Sequence, residues 1–338
     1  MLDELRLLIV VDNETDTLSS IGDGIPQTPE VAQQLPRIPV TRTHAGHPCK
    51  MVLDRLCCAA HGLSVLVTGR RGAEERTMLF DVGPYADVWL ANAARLGIDL
   101  AAIELVFLSH WHADHSGALP QVVAAVAAAR RRAGAAAPVV VDLHPDRPDQ
   151  RGILLPSGTM ILLAPEPTFE AVEAAGGRVI KHANGHPLCD GFFFGSGAID
   201  RVTDYETGLV GHHSFRGETG TEDPLILDER FVAVQVRGRG VTLLSACSHA
   251  GVVNAALGAQ AALGAPIDLL LGGYHLSGKA MEARIEATVR DLRERVRPRI
   301  VAPGHCTGWR AKAALAQAFA PARYGPSAVG SAYTLRAQ

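Results

Sequence analysis

The sequence predicts two mixed β-sheets packed face to face, with helices on the outside. Three observations carry this. Apolar runs of strand length pair as hairpins around polar turns, other strand-like runs alternate with segments of helical spacing, and no internal repeat or clear linker interrupts the pattern. The chain of 338 residues is read as one domain over 1–338, in which residues 1–50 form a turn-rich N-terminal segment or lid.

The elements follow in order. Leu7-Leu8-Ile9-Val10-Val11 is a first strand. Ser64 to Thr68 and Thr77 to Val82 make a hairpin around the polar turn Gly69 to Arg76. Residues 86–97 carry apolar positions at helical spacing and stop at Gly97. Leu105 to Ser109 is a buried strand, and 119–135 is an Ala-rich helix ending in Arg130-Arg131-Arg132, which suits the negative end of the helix dipole. Pro138 to Asp142 is another strand, whereas residues 143–200 resist assignment apart from a helix near 168–176. Phe231 to Val236 and Val241 to Ser245 form a second hairpin across Gly238-Arg239-Gly240. Helix 251–263, strand Ile267 to Leu271, helix 279–295 and strand Arg299 to Ala302 follow.

Composition narrows the function classes. Hydrophobic residues make up 47% and charged residues 20%, which fits a globular protein. A net charge of −3 leaves no electrostatic footprint for nucleic acid or an anionic membrane, so a small-molecule partner is expected. The first apolar run is too short for a signal or membrane span and is closed by Asp12-Asn13-Glu14, which makes the cytoplasm the expected location. The six cysteines show no C-x-x-C spacing, and no disulfide framework is expected. Phosphate-binding G-x-x-x-x-G-K-[ST] and H-E-x-x-H motifs are absent.

The chemistry concentrates in His110-Trp111-His112-Ala113-Asp114-His115, directly after a buried strand. Imidazole and carboxylate are ordinary ligands of zinc-type ions. In an extended segment His110 and His112 project to the same side, while Asp114 and His115 can turn toward a second ion. Further strands lead to Ala246-Cys247-Ser248-His249, to Gly272-Gly273-Tyr274-His275 and to Pro303-Gly304-His305-Cys306-Thr307-Gly308. Adjacent strand ends share one rim of a sheet, so these histidines are expected at a common site. Asp81, in Leu79-Phe80-Asp81-Val82-Gly83, is placed to accept a hydrogen bond from a ligand imidazole and fix its orientation.

Together these motifs resemble the metallo-β-lactamase superfamily. His110-x-His112-x-Asp114-His115 matches its signature, and Asp81-x-Gly83 its earlier strand-end motif. Further segments are similar to the dihydropterin/ribofuranosylaminobenzene 5′-phosphate synthase-like branch. They are Val11-Asp12-Asn13, His61-Gly62-Leu63-Ser64, Gly197 to Glu206, Cys247 to Asn254, Gly272 to Leu276 and Gly304 to Gly308. The resemblance implies an αββα sandwich with the site along one edge of the sheets. It also implies two Zn²⁺ ions, with Mn²⁺ or Fe²⁺ as alternatives. One ion would be held by His110, His112 and His249, and the other by Asp114, His115 and His305. Asp114 and His275 are the expected catalytic groups, His275 as proton donor or phosphate holder. Asp81 and Cys247 are expected to support the ligands. Arg201 is expected to bind an anionic group of the substrate, and Glu206 to pair with Arg201 or orient a ligand.

The chain departs from the general pattern in two places. No separate histidine in a Gly-His-Thr-Pro-Gly-like context occurs between 116 and 240, and Ala246-Cys247 stands where a Gly-Asp usually provides a bridging carboxylate. The expected function is a metal-dependent hydrolase or phosphate-transfer-type enzyme acting on a small anionic molecule. The branch's condensation, which joins a pterin pyrophosphate to an aryl ribosyl phosphate, is the first alternative. Iron-based redox chemistry on the same fold, a non-enzymatic metal-bearing protein and a nucleophilic Cys247 paired with His249 are the others.

Overall fold

The computed structural model describes residues 1–338. Strand Glu4–Val11 pairs antiparallel with Ser64–Arg71 on one side and with Ala332–Arg336 on the other. The resulting eight-stranded sheet runs Gly177–Lys181, Val139–Leu143, Ile103–Phe107, Glu74–Phe80, Ser64–Arg71, Glu4–Val11, Ala332–Arg336, Gln27–Thr28. A six-stranded sheet runs His186–Leu188, Phe193–Gly195, Val232–Val236, Gly240–Ser245, Ile267–Gly273, Ile300–Gly304. Alternate side chains of the two sheets, among them Leu5, Leu7, Val65, Val67 and Phe80 facing Val232, Val234, Leu244, Leu269 and Leu271, close into one buried layer.

The outward faces are covered by helices. Ala86–Leu96 and Leu119–Arg132 place Trp89, Val122 and Val126 on the first sheet. Val252–Leu263 and Trp309–Phe319 place Val253, Ala256 and Leu315 on the second. The architecture is the predicted αββα sandwich. No helix is long and apolar enough to cross a membrane.

Strand direction positions the site. Glu74–Phe80, Ile103–Phe107 and Val139–Leu143 run parallel, so their C-terminal ends open at one rim. Gly240–Ser245, Ile267–Gly273 and Ile300–Gly304 are also parallel. The loops after these strands carry Asp81, the 110–115 segment, Cys247, His249, His275 and His305.

Several sequence expectations are corrected. Segment 279–295 is not one helix but Lys279–Glu282, Ile285–Asp291 and a π-helical turn Leu292–Val296. Residues 1–50 hold a short helix, Glu30–Gln34, and an exposed hairpin, Arg42–His44 with His47–Cys49, and none of them lines the cavity at the rim. The wall over that cavity comes instead from residues 150–222, of which only the first part falls in the stretch 143–200 that resisted assignment. There a four-stranded sheet forms from Met160–Leu162, Gln150–Leu154, His212–Arg216 and Thr219–Glu222. Buried Arg151 fastens this sheet down, donating to Asp228 (2.6 Å) and Asp223 (3.0 Å), while Asp228 also accepts from the backbone N–H of Trp111 (2.7 Å).

Candidate metal centre

Ring nitrogens converge from three loops. His110 Nε2 lies 3.0 Å from His112 Nδ1, and His249 Nε2 lies 3.1 Å from the same atom. A second group gathers beside it: His305 Nε2 is 3.2 Å and His115 Nε2 3.5 Å from Asp114 Oδ2. The two groups are those expected from the sequence. Cys247 Sγ lies between them, 3.1 Å from His115 Nε2 and 3.2 Å from His305 Nε2, and also within donor range of His110 and His249. The turn after Gly240–Ser245 carries the Cys247 sulfur between the two groups, at the place where the general pattern has a carboxylate, which puts it among the candidate donors themselves.

The outer hydrogen bonds decide which nitrogen of each ring is free. The Asp223 carbonyl can only accept, so His212 Nδ1–H donates to it (2.6 Å) and His212 Nε2 is bare. His112 Nε2–H donates to that bare nitrogen (2.9 Å), which leaves the lone pair of His112 on Nδ1. Ser109 Oγ–H donates to Asp81 (2.8 Å) and accepts from His110 Nδ1–H (2.9 Å), so His110 Nε2 is bare. Asp81 accepts directly from His115 Nδ1–H (2.8 Å), as expected for this carboxylate, and Asn13 Oδ1 accepts from His305 Nδ1–H (2.9 Å). Bare nitrogens thus face one another at 3.0 Å, which is repulsive unless a cation stands between them. Two donors of a tetrahedral zinc lie ~3.3 Å apart, so the donor set fits such an ion.

Electrostatics agree with this reading. Burial, followed by the neighbouring imidazoles, holds His110 well below the usual histidine range, and burial with Arg151 does the same to His112. Burial and Arg151 bring His212 down to about 4, so it is neutral, as its bare Nε2 requires. Burial opposes charge on His115, yet Asp114 and Asp81 carry it up to about 9. In the absence of an ion, this acidic side of the centre retains a proton instead.

The rim is held in unusual backbone. Asp81, Ser248, His275 and His305 all have left-handed φ, between 43° and 60°. Gly62 has no room for a side chain: a Cβ would lie 2.3 Å from the Asp114 carbonyl oxygen. That contact brings His61 over the site, 3.6 Å from Asp114 Oδ2. Asn13 Nδ2–H donates to His61 Nδ1 (2.9 Å), so His61 presents an Nε2–H donor toward Asp114.

Two expected substrate residues are elsewhere. The Glu206 carboxylate accepts from the backbone N–H groups of Val253 (3.0 Å) and Asn254 (2.9 Å), at the start of helix Val252–Leu263. A Cβ on Gly251 would strike it at 2.1 Å. It is a helix cap, favoured by the N-terminal backbone donors. Arg201 donates to the Leu225 carbonyl, does not pair with Glu206 and does not line the cavity. His275 does line it. Its ring lies 4.3 Å from that of His249, its Nδ1 has no partner, and its donor atoms group with Cys247 and Cys306.

Sequence reasoning overlooked three side chains. His212 reaches the centre from the four-stranded sheet, where its Nε2 meets His112 Nε2. Glu229 accepts from the backbone N–H of His249 (2.8 Å) and Ala250 (2.7 Å) and fixes that loop. Glu166 meets Ser116 Oγ, whose one proton also serves the His112 carbonyl (3.1 Å). A protonated Glu166 resolves the shortage, and burial pushes this carboxyl up to about 8.

The cavity above the donors measures about 450 Å³. Pro84, Tyr85, Ile153, Leu163, Pro165 and Leu209 supply apolar wall, and no lysine or arginine is among the lining residues.

Comparison with known proteins bears on this geometry. The family model of the Metallo-beta-lactamase superfamily matches residues 60–261. A curated relative from Methanocaldococcus jannaschii, named 7,8-dihydropterin-6-methyl-4-(beta-D-ribofuranosyl)-aminobenzene-5′-phosphate synthase, is 26% identical over 267 residues, covering 75% of this chain and 82% of the relative. The lactamase-like protein vrtG of Penicillium aethiopicum is 34% identical over 108 residues, 32% of this chain and 31% of that protein. Among solved structures, Tm1679, described as a metal-dependent hydrolase of the beta-lactamase superfamily, superposes with a TM-score of 0.67 at 21% identity, covering 99% of both chains.

Proposed function

Since the chain belongs to the metallo-β-lactamase superfamily, we propose that it is a metal-dependent hydrolase of a small molecule with an apolar body and a carbonyl or phosphoryl head. The observation that carries this is the paired donor set sharing Cys247 at the floor of an apolar-walled cavity. His110, His112 and His249 hold one divalent ion, and Asp114, His115 and His305 hold the other. Zn²⁺ suits this mixture of imidazole, thiolate and carboxylate. Bound there, such ions supply Lewis acidity and make hydroxide available near neutral pH.

The chain's own side chains do the rest. Pro84, Tyr85, Ile153, Leu163 and Leu209 orient the substrate body and exclude water. His61 Nε2–H and His275 are the proton donors facing the head group. With no lysine or arginine in the lining, a negative head is answered by the ions and these imidazoles, not by Arg201.

The test is metal analysis of purified protein with a screen of phosphodiesters, phosphomonoesters and lactones. We expect ~2 zinc-like ions per chain at this centre, and we expect His112→Ala to abolish turnover with an unchanged circular dichroism spectrum. Full activity in that variant sinks the proposal. The archaeal relative favours a second reading, pyrophosphate-releasing condensation. Pyrophosphate formed only when a pterin pyrophosphate and an aryl ribosyl phosphate are supplied together, with no hydrolysis in the screen, selects it.

A further inference from the structure

Asp142, His182 and His186 form another cluster of donors, and none of them lines the cavity above the centre. We propose that these three side chains bind a divalent first-row transition ion that staples the edges of the two main sheets together. Asp142 lies on Val139–Leu143, next to the edge of the eight-stranded sheet, and His182 follows that sheet's edge strand, Gly177–Lys181. His186 opens His186–Leu188, the edge strand of the six-stranded sheet. A short loop between the two histidines crosses from one sheet to the other, and the cluster closes that crossing.

The carboxylate is prepared for the task. Asp142 is fully buried, and its Oδ1 accepts from Arg230 Nη1 at 2.7 Å. Arg230 is itself anchored on the carbonyl of Leu108 (2.7 Å), so the carboxylate cannot turn away. Its Oδ2 is left for the imidazoles, with His182 Nδ1 and His186 Nε2 each at 2.8 Å.

The second nitrogen of His186 supplies the decisive point. His186 Nδ1 lies 3.0 Å from the Asn184 carbonyl, which can only accept, so Nδ1 carries a proton. Neutral His186 then turns a bare Nε2 toward a carboxylate oxygen, lone pair against lone pair. One remedy is a second proton, making an imidazolium stacked 3.8 Å from the ring of His182. The other is a cation shared by Nε2, Asp142 Oδ2 and His182 Nδ1.

The spacing accommodates the cation. Two ligand atoms ~2.05 Å from one ion and at right angles to each other lie ~2.9 Å apart, and both imidazole–carboxylate distances are 2.8 Å. Two histidines and one carboxylate occupy one face of such an ion and leave the other open. Here the open side is a groove of about 460 Å³ running past Arg178, Ile180, Pro187 and Leu188, wide enough for water to complete the coordination.

The test counts ions and does not depend on turnover. The full chain as isolated is dialysed against Ni²⁺, then analysed for metal per chain and for melting temperature, beside His182→Ala, His186→Ala and His112→Ala. Circular dichroism confirms that each variant is folded; His182, the more exposed of the pair, provides the variant least able to disturb packing. We expect both peripheral variants to hold one ion fewer than the parent chain and to lose part of the Ni²⁺-dependent rise in melting temperature. We expect His112→Ala to keep the peripheral ion, visible as anomalous scattering between residues 142, 182 and 186. Equal ion counts in the parent chain, His182→Ala and His186→Ala overturn the inference and leave an imidazolium–carboxylate pair in its place.

Discussion

His212 Nε2 accepts from His112 Nε2–H at 2.9 Å, across a separation of 100 residues, and so fixes which nitrogen of His112 is turned inward. The proton order begins at the Asp223 carbonyl and ends at the bare His112 Nδ1. Groups that orient a metal ligand in this way typically account for ~10–100-fold in affinity. His212→Phe keeps the bulk and removes the acceptor. It is expected to lower metal affinity by ~10–100-fold, read by competition with a chromogenic chelator. Parent-level affinity in this variant would show that His112 is oriented by something else.

Cys247 contributes one sulfur to both donor groups. Cys247→Ala should therefore release metal more readily from both. Cys247→Asp restores a shared ligand as oxygen, and harder oxygen ligands favour Mn²⁺ relative to Zn²⁺. Metal content after dialysis against equal Zn²⁺ and Mn²⁺ is expected to shift toward Mn²⁺ in Cys247→Asp; an unchanged ratio argues against ligation by residue 247.

Glu166 gives a pH signature. Burial raises its folded-state pKa to about 8, above the 4.5 of an ordinary glutamate. Its contribution to stability is complete below the unfolded value and is lost as pH rises through the folded one. Against Glu166→Gln, the metal-free parent chain should lose melting temperature progressively between pH 5 and 9, an interval of about the shifted titration. Parallel curves for the two proteins over that range would contradict a protonated Glu166.

Glu206 is expected to matter for folding alone. Glu206→Ala leaves the N–H groups of Val253 and Asn254 without their partner, at a cost of ~1–3 kcal/mol. Denaturant unfolding measures this. kcat/KM on whichever substrate the screen identifies should stay at the parent value, and a large loss of kcat/KM at full stability would return Glu206 to the substrate.

The sequence made the sandwich and most of the metal centre legible because both depend on local pattern. Strand-length apolar runs ended in histidine-bearing loops, and parallel strands bring such loops to one rim. The four-stranded sheet was hidden because its strands are short and polar: His212-His213-Ser214-Phe215-Arg216 has no apolar alternation to mark it. His212 was lost with it. The closing strand Ala332–Arg336 carries only a short signal, the alternation of Tyr333 and Leu335, both fully buried. Arg201 and Glu206 lie within a segment that resembles the branch, and only the hydrogen bonds separate a helix cap from a substrate contact. Segment 279–295 kept helical spacing while its backbone broke, which periodicity alone cannot register.

Asn13 and His305 touch across 292 positions, and the neighbouring Asp12 accepts the backbone N–H of His305. Contacts so distant in sequence close very large loops, each at an entropic cost. The last imidazole is thus aimed only when both extremities of the fold have been stitched into place. Competence of the centre is a checkpoint on completed folding: a fragment lacking either extremity would contain most of the ligands and still be unable to fix them.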